Sequence, residues 1–209
     1  MNPAARVTQP PDPEPPVVAL ADRPVYRLTV EQYHRMIDAG VFDGAPKCEL
    51  IHGIILEKPV PGPPHSSSTR RLNRRLGELF SEPDWVVGIQ DSITLSDSEP
   101  EPDFYAAVGP ESIYTDRHPR PKDLVLVVEV SHSSLVFDRS AKLALYAGER
   151  IVQYWIVNVG ERRVEVYTQP KGGKNPAYKQ QTNYGPDDEV PVVIGGKELG
   201  RISVKELLP

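Results

Sequence analysis

The chain has a single cysteine, Cys48, among 209 residues. One thiol can form neither an intrachain disulfide nor a thiolate-rich zinc site, so a reducing cytoplasm is the expected compartment. No apolar run approaches the ~20 residues of a membrane span. The stretch after Met1 has no apolar segment of the kind that heads a secretion signal, because Pro10, Pro11, Pro13, Pro15 and Pro16 occupy that place. Secretion and membrane insertion are therefore not expected. Net basic charge is also lacking: the formal charge is −5. Such a chain is not built to coat nucleic acid non-specifically, since that takes an excess of Lys and Arg to neutralise phosphates. Internal repeats and heptads are absent.

The charge that is present is unevenly distributed. Arg70, Arg71, Arg74 and Arg75 crowd one segment, whereas 97–111 holds Asp97, Glu99, Glu101, Asp103 and Glu111 without a base. The length suits one domain with a substantial core. Residues 1–24 read as a Pro-rich tail, because each proline fixes φ and removes a donor, and 25–209 read as the folded domain. Thr29 with Gln32 forms a capping-box pattern for a helix over 30–39 that stops at Gly40. Residues 49–57 read as a β-hairpin turning at His52-Gly53. A second helix is expected from Ser66, with Leu72, Leu76, Leu79 and Phe80 on one stripe. Strands are expected at 85–89, 92–95, 104–108 and 124–130, and the last is apolar enough to be buried on both faces. Asp138 is the expected cap of a helix over 139–147 closed by Gly148. A hairpin through Gly160 joins 153–159 to 162–168, 171–181 is a loop running into a weak strand, and 189–194 and 204–208 end the chain.

The chemistry gathers on few residues. Asp103 heads one expected strand, Glu129 lies near the end of another, and Lys142 sits on the helix that follows. Carboxylates at the ends of neighbouring strands can hold a hard divalent cation, and the Val130 carbonyl can add an oxygen. A nearby ammonium can stabilise charge on a phosphate. Lys142 lies four residues from both Asp138 and Tyr146, so the three share a helical face. Each residue also has a plainer reading: Glu129 as a strand-end carboxylate, Asp103 as a turn residue after Pro102, and Lys142 as a solvated helix residue. Glu49 can extend a metal shell or pair with Lys47 or Arg71, and His65 can contact phosphate or cap its helix. Arg71 and Arg74 can track a nucleic-acid backbone or simply face solvent. The scattered histidines do not suggest a zinc site.

In order and combination, Cys48-Glu49-Leu50-Ile51-His52-Gly53, His65, Glu101-Pro102-Asp103, Val127-Val128-Glu129-Val130-Ser131, Asp138 through Lys142 to Tyr146, and Gln153-Tyr154-Trp155-Ile156-Val157 resemble the Uma2 family of the PD-(D/E)xK restriction-endonuclease-like superfamily. The resemblance spans about 28–208. It implies an α/β (α+β) fold: a mixed central β-sheet flanked by helices, with an additional N-terminal β-hairpin. It also implies Asp103 and Glu129 as metal ligands, Glu49 as a further acidic residue, and Lys142 as a catalytic lysine displaced from its usual place. Ser131 stands where a Glu-x-Lys pattern would have lysine.

The leading expectation is a Mg²⁺-dependent, or Mn²⁺-dependent, endonuclease acting on duplex DNA, whose two strands a homodimer would cut. The alternatives are a non-catalytic DNA-binding or assembly domain that retains the fold, and a hydrolase of small phosphorylated molecules with a more enclosed pocket. Deleting residues 1–24 should leave cooperative unfolding and metal affinity nearly unchanged, because that segment has no periodic apolar face; calorimetry of the truncated chain checks this.

Overall fold

The computed structural model describes residues 24–209. The Pro-rich segment 1–23 lies outside the described residues. Helix α1 (Val30–Asp38) opens with the capping box: the Thr29 side chain accepts from the Gln32 amide, and the Gln32 side chain accepts from the Thr29 amide. Strands β1 (Cys48–Ile51) and β2 (Ile54–Glu57) form the antiparallel N-terminal hairpin. His52 and Gly53 both have positive φ, 48° and 73°, as a two-residue hairpin turn of this hand requires.

Helix α2 (Pro63–Gly77) starts earlier than the expected Ser66. Its two prolines occupy the first turn, where an amide would have no intrahelical partner, so they begin the helix instead of ending the preceding loop. Leu72 and Leu76 are fully buried, and Phe80 packs beside them just past the helix end.

Strands β3 (Trp85–Gly88), β4 (Phe104–Val108), β5 (Leu124–Ser131), β6 (Gln153–Asn158), β7 (Arg163–Lys171) and β8 (Ala177–Tyr184) form one sheet in chain order. Every neighbouring pair is antiparallel except β5 and β6, so the sheet is mixed. The expected strand at 92–95 is absent. Ile93 and Leu95 are buried there, but the amides of Ile93, Thr94 and Leu95 donate to Pro100, Pro119 and Ser98, loop carbonyls that satisfy the backbone without a ladder. Strand β9 (Glu189–Ile194) pairs through a Gly195-Gly196 turn with β10 (Lys197–Ser203), a strand whose Gly and charged residues hid it in the sequence, and α5 (Val204–Leu207) follows.

The parallel step from β5 to β6 needs a crossover, and its residues 135–148 are helical without a break: α3 (Leu135–Phe137), a π turn (Asp138–Lys142) and α4 (Leu143–Gly148). Asp138 therefore lies inside the helical segment and does not cap it. Its carboxylate instead accepts from the hydroxyls of Ser131 and Ser134.

Strand alternation assigns residues to the two faces of the sheet. Phe104, Ala106, Leu126, Val128 and Val130 pack with α2, β9, β10 and α5. Tyr105, Val127 and Ile156 pack with Leu145 and Tyr146 of the crossover on the other face. Gly88 is fixed by this second layer, because a Cβ there would lie 2.1 Å from the Tyr105 ring. Gly88→Ala should displace that ring and its hydrogen bond to Asp91, costing about 1–3 kcal/mol and several degrees of melting temperature in a thermal scan.

Candidate active site

Asp103 and Glu129 share the crossover-facing side of the sheet. Phe104 pairs with Val128 in an antiparallel ladder, so the next positions outward are Asp103 and Glu129. Their odd-numbered neighbours Tyr105 and Val127 face the crossover, and the period of two carries both carboxylates the same way. The Val130 amide donates to Asp103 Oδ2 at 2.8 Å, tying the head of β4 to the end of β5.

Lys142 reaches this pair from the π turn. Its Nζ donates to Glu49 Oε2 at 2.8 Å and to Glu129 Oε1 at 3.2 Å. Tyr146 also donates to Glu129 Oε1, at 2.8 Å. Lys142 is 4% exposed and Glu129 6% exposed, so this is a buried charge cluster and not a surface ion pair. The salt bridge of Glu49 is thus with Lys142, not with Lys47 or Arg71. The amide of Glu101 approaches the same Glu49 oxygen at 3.3 Å.

His65, in the first turn of α2, faces Asp103 Oδ2 at 3.0 Å. Gln90 donates to Asp103 Oδ1 at 3.1 Å. Gln90 was not singled out by the sequence; its position follows β3 with φ at 50°, a left-handed conformation uncommon for a side chain of this kind, which no local motif announces. Ser131 and Ser134 were likewise missed as partners of Asp138. Arg71 and Arg74 lie farther along α2, half-buried and exposed respectively, and neither lines the cleft that holds the carboxylates.

That cleft has a volume of about 750 Å³ and is lined by Glu49, His65, Asp103, Glu129, Val130 and Lys142, among others. Burial raises the Glu129 carboxyl; Lys142 opposes this, but Asp103, Asp138 and Glu49 reinforce it, and the result is about 7. Burial would lower the Lys142 ammonium, yet Glu129 and Glu49 outweigh it and the net shift is upward. Asp103 is raised by burial but more strongly lowered by His65, the Val130 amide and Gln90, so it stays ionised. His65 is lowered by burial and more strongly raised by Asp103, Glu129 and Asp138.

Among the described residues, no three His, Cys, Asp or Glu side chains are grouped as around a bound ion. The donor chemistry nevertheless fits Mg²⁺, which commonly takes one or two carboxylates and keeps waters in its other positions. Both hydrogen bonds to Glu129 fall on Oε1, and Gln90 takes only one lone pair of Asp103 Oδ1, so each carboxylate retains acceptor capacity toward the cleft. Four carboxylates, those of Glu49, Asp103, Glu129 and Asp138, line the cleft together with the Lys142 ammonium. A divalent cation would offset that excess.

The raised Glu129 carboxyl makes stability depend on pH with a definite sign. A group protonated more readily in the fold than in the unfolded chain contributes most below its ordinary value near 4.5, and the contribution is lost as pH rises through about 7. Glu129→Gln mimics the protonated form. In metal-free buffer its melting temperature should improve relative to the parent between about pH 5 and about pH 8. Parallel melting profiles would contradict the assigned shift.

Comparison with known proteins places this chain in a family. No curated protein matches the chain. Among solved structures, a "putative nuclease belonging to DUF820" from Anabaena variabilis ATCC 29413 aligns with a TM-score of 0.60 over 86% of this chain and 97% of its own, at 16% identity, which shows a shared fold. The family model of Uma2, described as "Putative restriction endonuclease", matches residues 30–199. The mixed sheet, the N-terminal hairpin and this match together establish that the chain belongs to the Uma2 family.

Proposed function

We propose that the protein is a metal-dependent endonuclease that hydrolyses phosphodiester bonds of DNA. The observation that carries this reading is the convergence in one cleft of Asp103, Glu129 and Glu49 with the buried ammonium of Lys142. Membership of a nuclease-like family supports a nucleic-acid substrate.

Asp103, Glu129 and the Val130 carbonyl would hold Mg²⁺, or Mn²⁺ in its place. The ion would supply Lewis-acid activation of phosphate and water. Lys142, fixed between two carboxylates, presents positive charge where the transition state gains negative charge, and its position is set before substrate arrives. Glu49, whose Oε2 is held by Lys142, would orient water at the cleft side of that ammonium. His65 and Gln90 hold the Asp103 carboxylate from two directions. The hydroxyl of Tyr146 fixes the rotamer of Glu129. Arg71 and Arg74, outside the cleft, would contact the DNA backbone beyond the cleavage point, and two copies would be needed to cut both strands of a duplex.

A non-catalytic domain would be favoured by a lysine turned away from the carboxylates, and Lys142 is hydrogen-bonded to two of them. Hydrolysis of a small phosphorylated molecule has one observation in its favour, since a cleft of about 750 Å³ is within the range of small-molecule pockets. Comparing cleavage of oligonucleotides with that of mononucleotides separates the two substrates.

Asp103→Asn and Glu129→Gln should each weaken Mn²⁺ binding in calorimetry, because each removes charge from a hard-cation site at nearly constant volume. Lys142→Ala should retain metal but lose cleavage by about 100-fold or more in single-turnover assays, the scale of losing one strong electrostatic contributor. Full cleavage by Lys142→Ala would remove the lysine from the mechanism. Arg71→Ala with Arg74→Ala should weaken DNA binding and flatten its salt dependence; an unchanged salt slope would return both arginines to a solvated face.

A further inference from the structure

The cleft is better supplied with apolar surface than with free positive charge. Three lysines border it, but Lys142 is bound to Glu49 and Glu129, and Lys58 donates to the carbonyl and the carboxylate of Glu101 at 2.9 and 3.0 Å, which leaves Lys47 at the rim as the one lysine there without a side-chain partner among the described residues. A duplex held by its phosphates needs many cationic contacts along both strands. The apolar wall instead includes Leu56, Pro59, Val60 and Phe137, and Val60 is 93% exposed.

Phe137 stands out within that wall. It is half-buried, and it borders both the main cleft and a second, shallower depression lined by Ile51, Ile54 and Leu56. The Lys142 ammonium lies 6.0 Å from the centre of its ring. An apolar ring is thus held one residue's reach from the group assigned to the scissile phosphate. In a nucleotide, a base and its phosphate are separated by a comparable span, and a base face stacks on an aromatic ring whatever its sequence.

We propose that Phe137 is a stacking platform for one unpaired base, so that the site takes a DNA strand that is single-stranded or locally opened, in preference to intact duplex. This inference rests on the nuclease reading of the same site. An unpaired nucleotide matches the cleft on three counts. Its base has a ring and an aliphatic wall to cover it, its single phosphate needs few cations, and its size suits a concavity of this volume. A base still paired in a duplex has its faces covered by its neighbours and its edge held by its partner, so it cannot stack there without being extruded, at a cost of a few kcal/mol.

The test uses the full chain and three DNA probes carrying one 2-aminopurine: a single strand, a duplex with an unpaired flap, and a blunt duplex. Binding is followed with Ca²⁺ and cleavage with Mg²⁺ or Mn²⁺. Quenching of the 2-aminopurine on the single strand and on the flap, but not on the blunt duplex, is expected. Phe137→Leu should weaken single-strand binding by about tenfold or more, while Phe137→Trp retains it, because tryptophan restores an aromatic face and leucine only the bulk. Thermal melts establish that both variants fold, and the wild-type probe comparison needs neither. Single-strand binding unaltered in Phe137→Leu, or a blunt duplex bound and cut as readily as the single strand, would overturn the platform and leave the nuclease reading standing. Absence of binding and cleavage for all three probes would take down both.

Discussion

One buried ammonium organises the site. Lys142 carries its charge into a place where water scarcely reaches, and a charge so placed is tolerated only when it is paired and hydrogen-bonded. Its partners come from separate parts of the chain, Glu49 from the N-terminal hairpin and Glu129 from the central strand β5. Removing one member of such a cluster strands the others, a loss of about 3–5 kcal/mol for a typical buried pair. The hairpin is therefore not an appendage. Its charge completes the pairing of a lysine 93 positions away, and it forms one wall of the cleft.

The helical segment that delivers Lys142 is itself fastened on two sides. Asp138 accepts from Ser131 and Ser134, which binds the π turn to the end of β5. Arg139, one residue on, donates to Glu165, a fully buried carboxylate that also accepts from Asn158 at 3.0 Å, Tyr167 at 2.8 Å and Arg163 at 3.1 Å. Burial would raise Glu165, but these donors outweigh it and hold it near 2. Successive residues of the π turn thus grip β5 and β7, and Lys142 follows within the same turn. The wider turn lets the segment point Asp138, Lys142 and Tyr146 at one strand although they do not sit on a regular α-helical ladder.

Much of this was legible in the sequence because it rests on local rules. The apolar run of β5 with one carboxylate near its end marks a buried central strand that ends at the cleft, and Thr29 with Gln32 and His52 with Gly53 obey short-range geometry. What was not legible depended on distant partners. Ile93 and Leu95 alternate with polar residues as a strand would, yet their amides find loop carbonyls. Asp138 precedes a helical pattern as a cap would, yet two serines four and seven residues before it draw its carboxylate elsewhere. Gln90 reaches Asp103 from a left-handed backbone position that no periodicity marks.

The position of the lysine follows from competition for one small volume. Ser131 is two residues beyond Glu129 on the same face of β5, the place where a Glu-x-Lys pattern would put its lysine. Here Ser131 is fully buried and its hydroxyl is committed to Asp138. A long side chain at 131 would have to displace Asp138 and with it the start of the π turn. A serine leaves that volume to the crossover, and Lys142 enters it from the next element. The ammonium then meets Glu129 from the helix side while Asp103 stands on the strand side, so the carboxylate of Glu129 has one oxygen turned to the lysine and the other left for the cleft. The backbone that carries Lys142 is thus fixed by the Asp138 and Arg139 contacts and not by the sheet, so those contacts set the geometry of the candidate site as well as the stability of the fold.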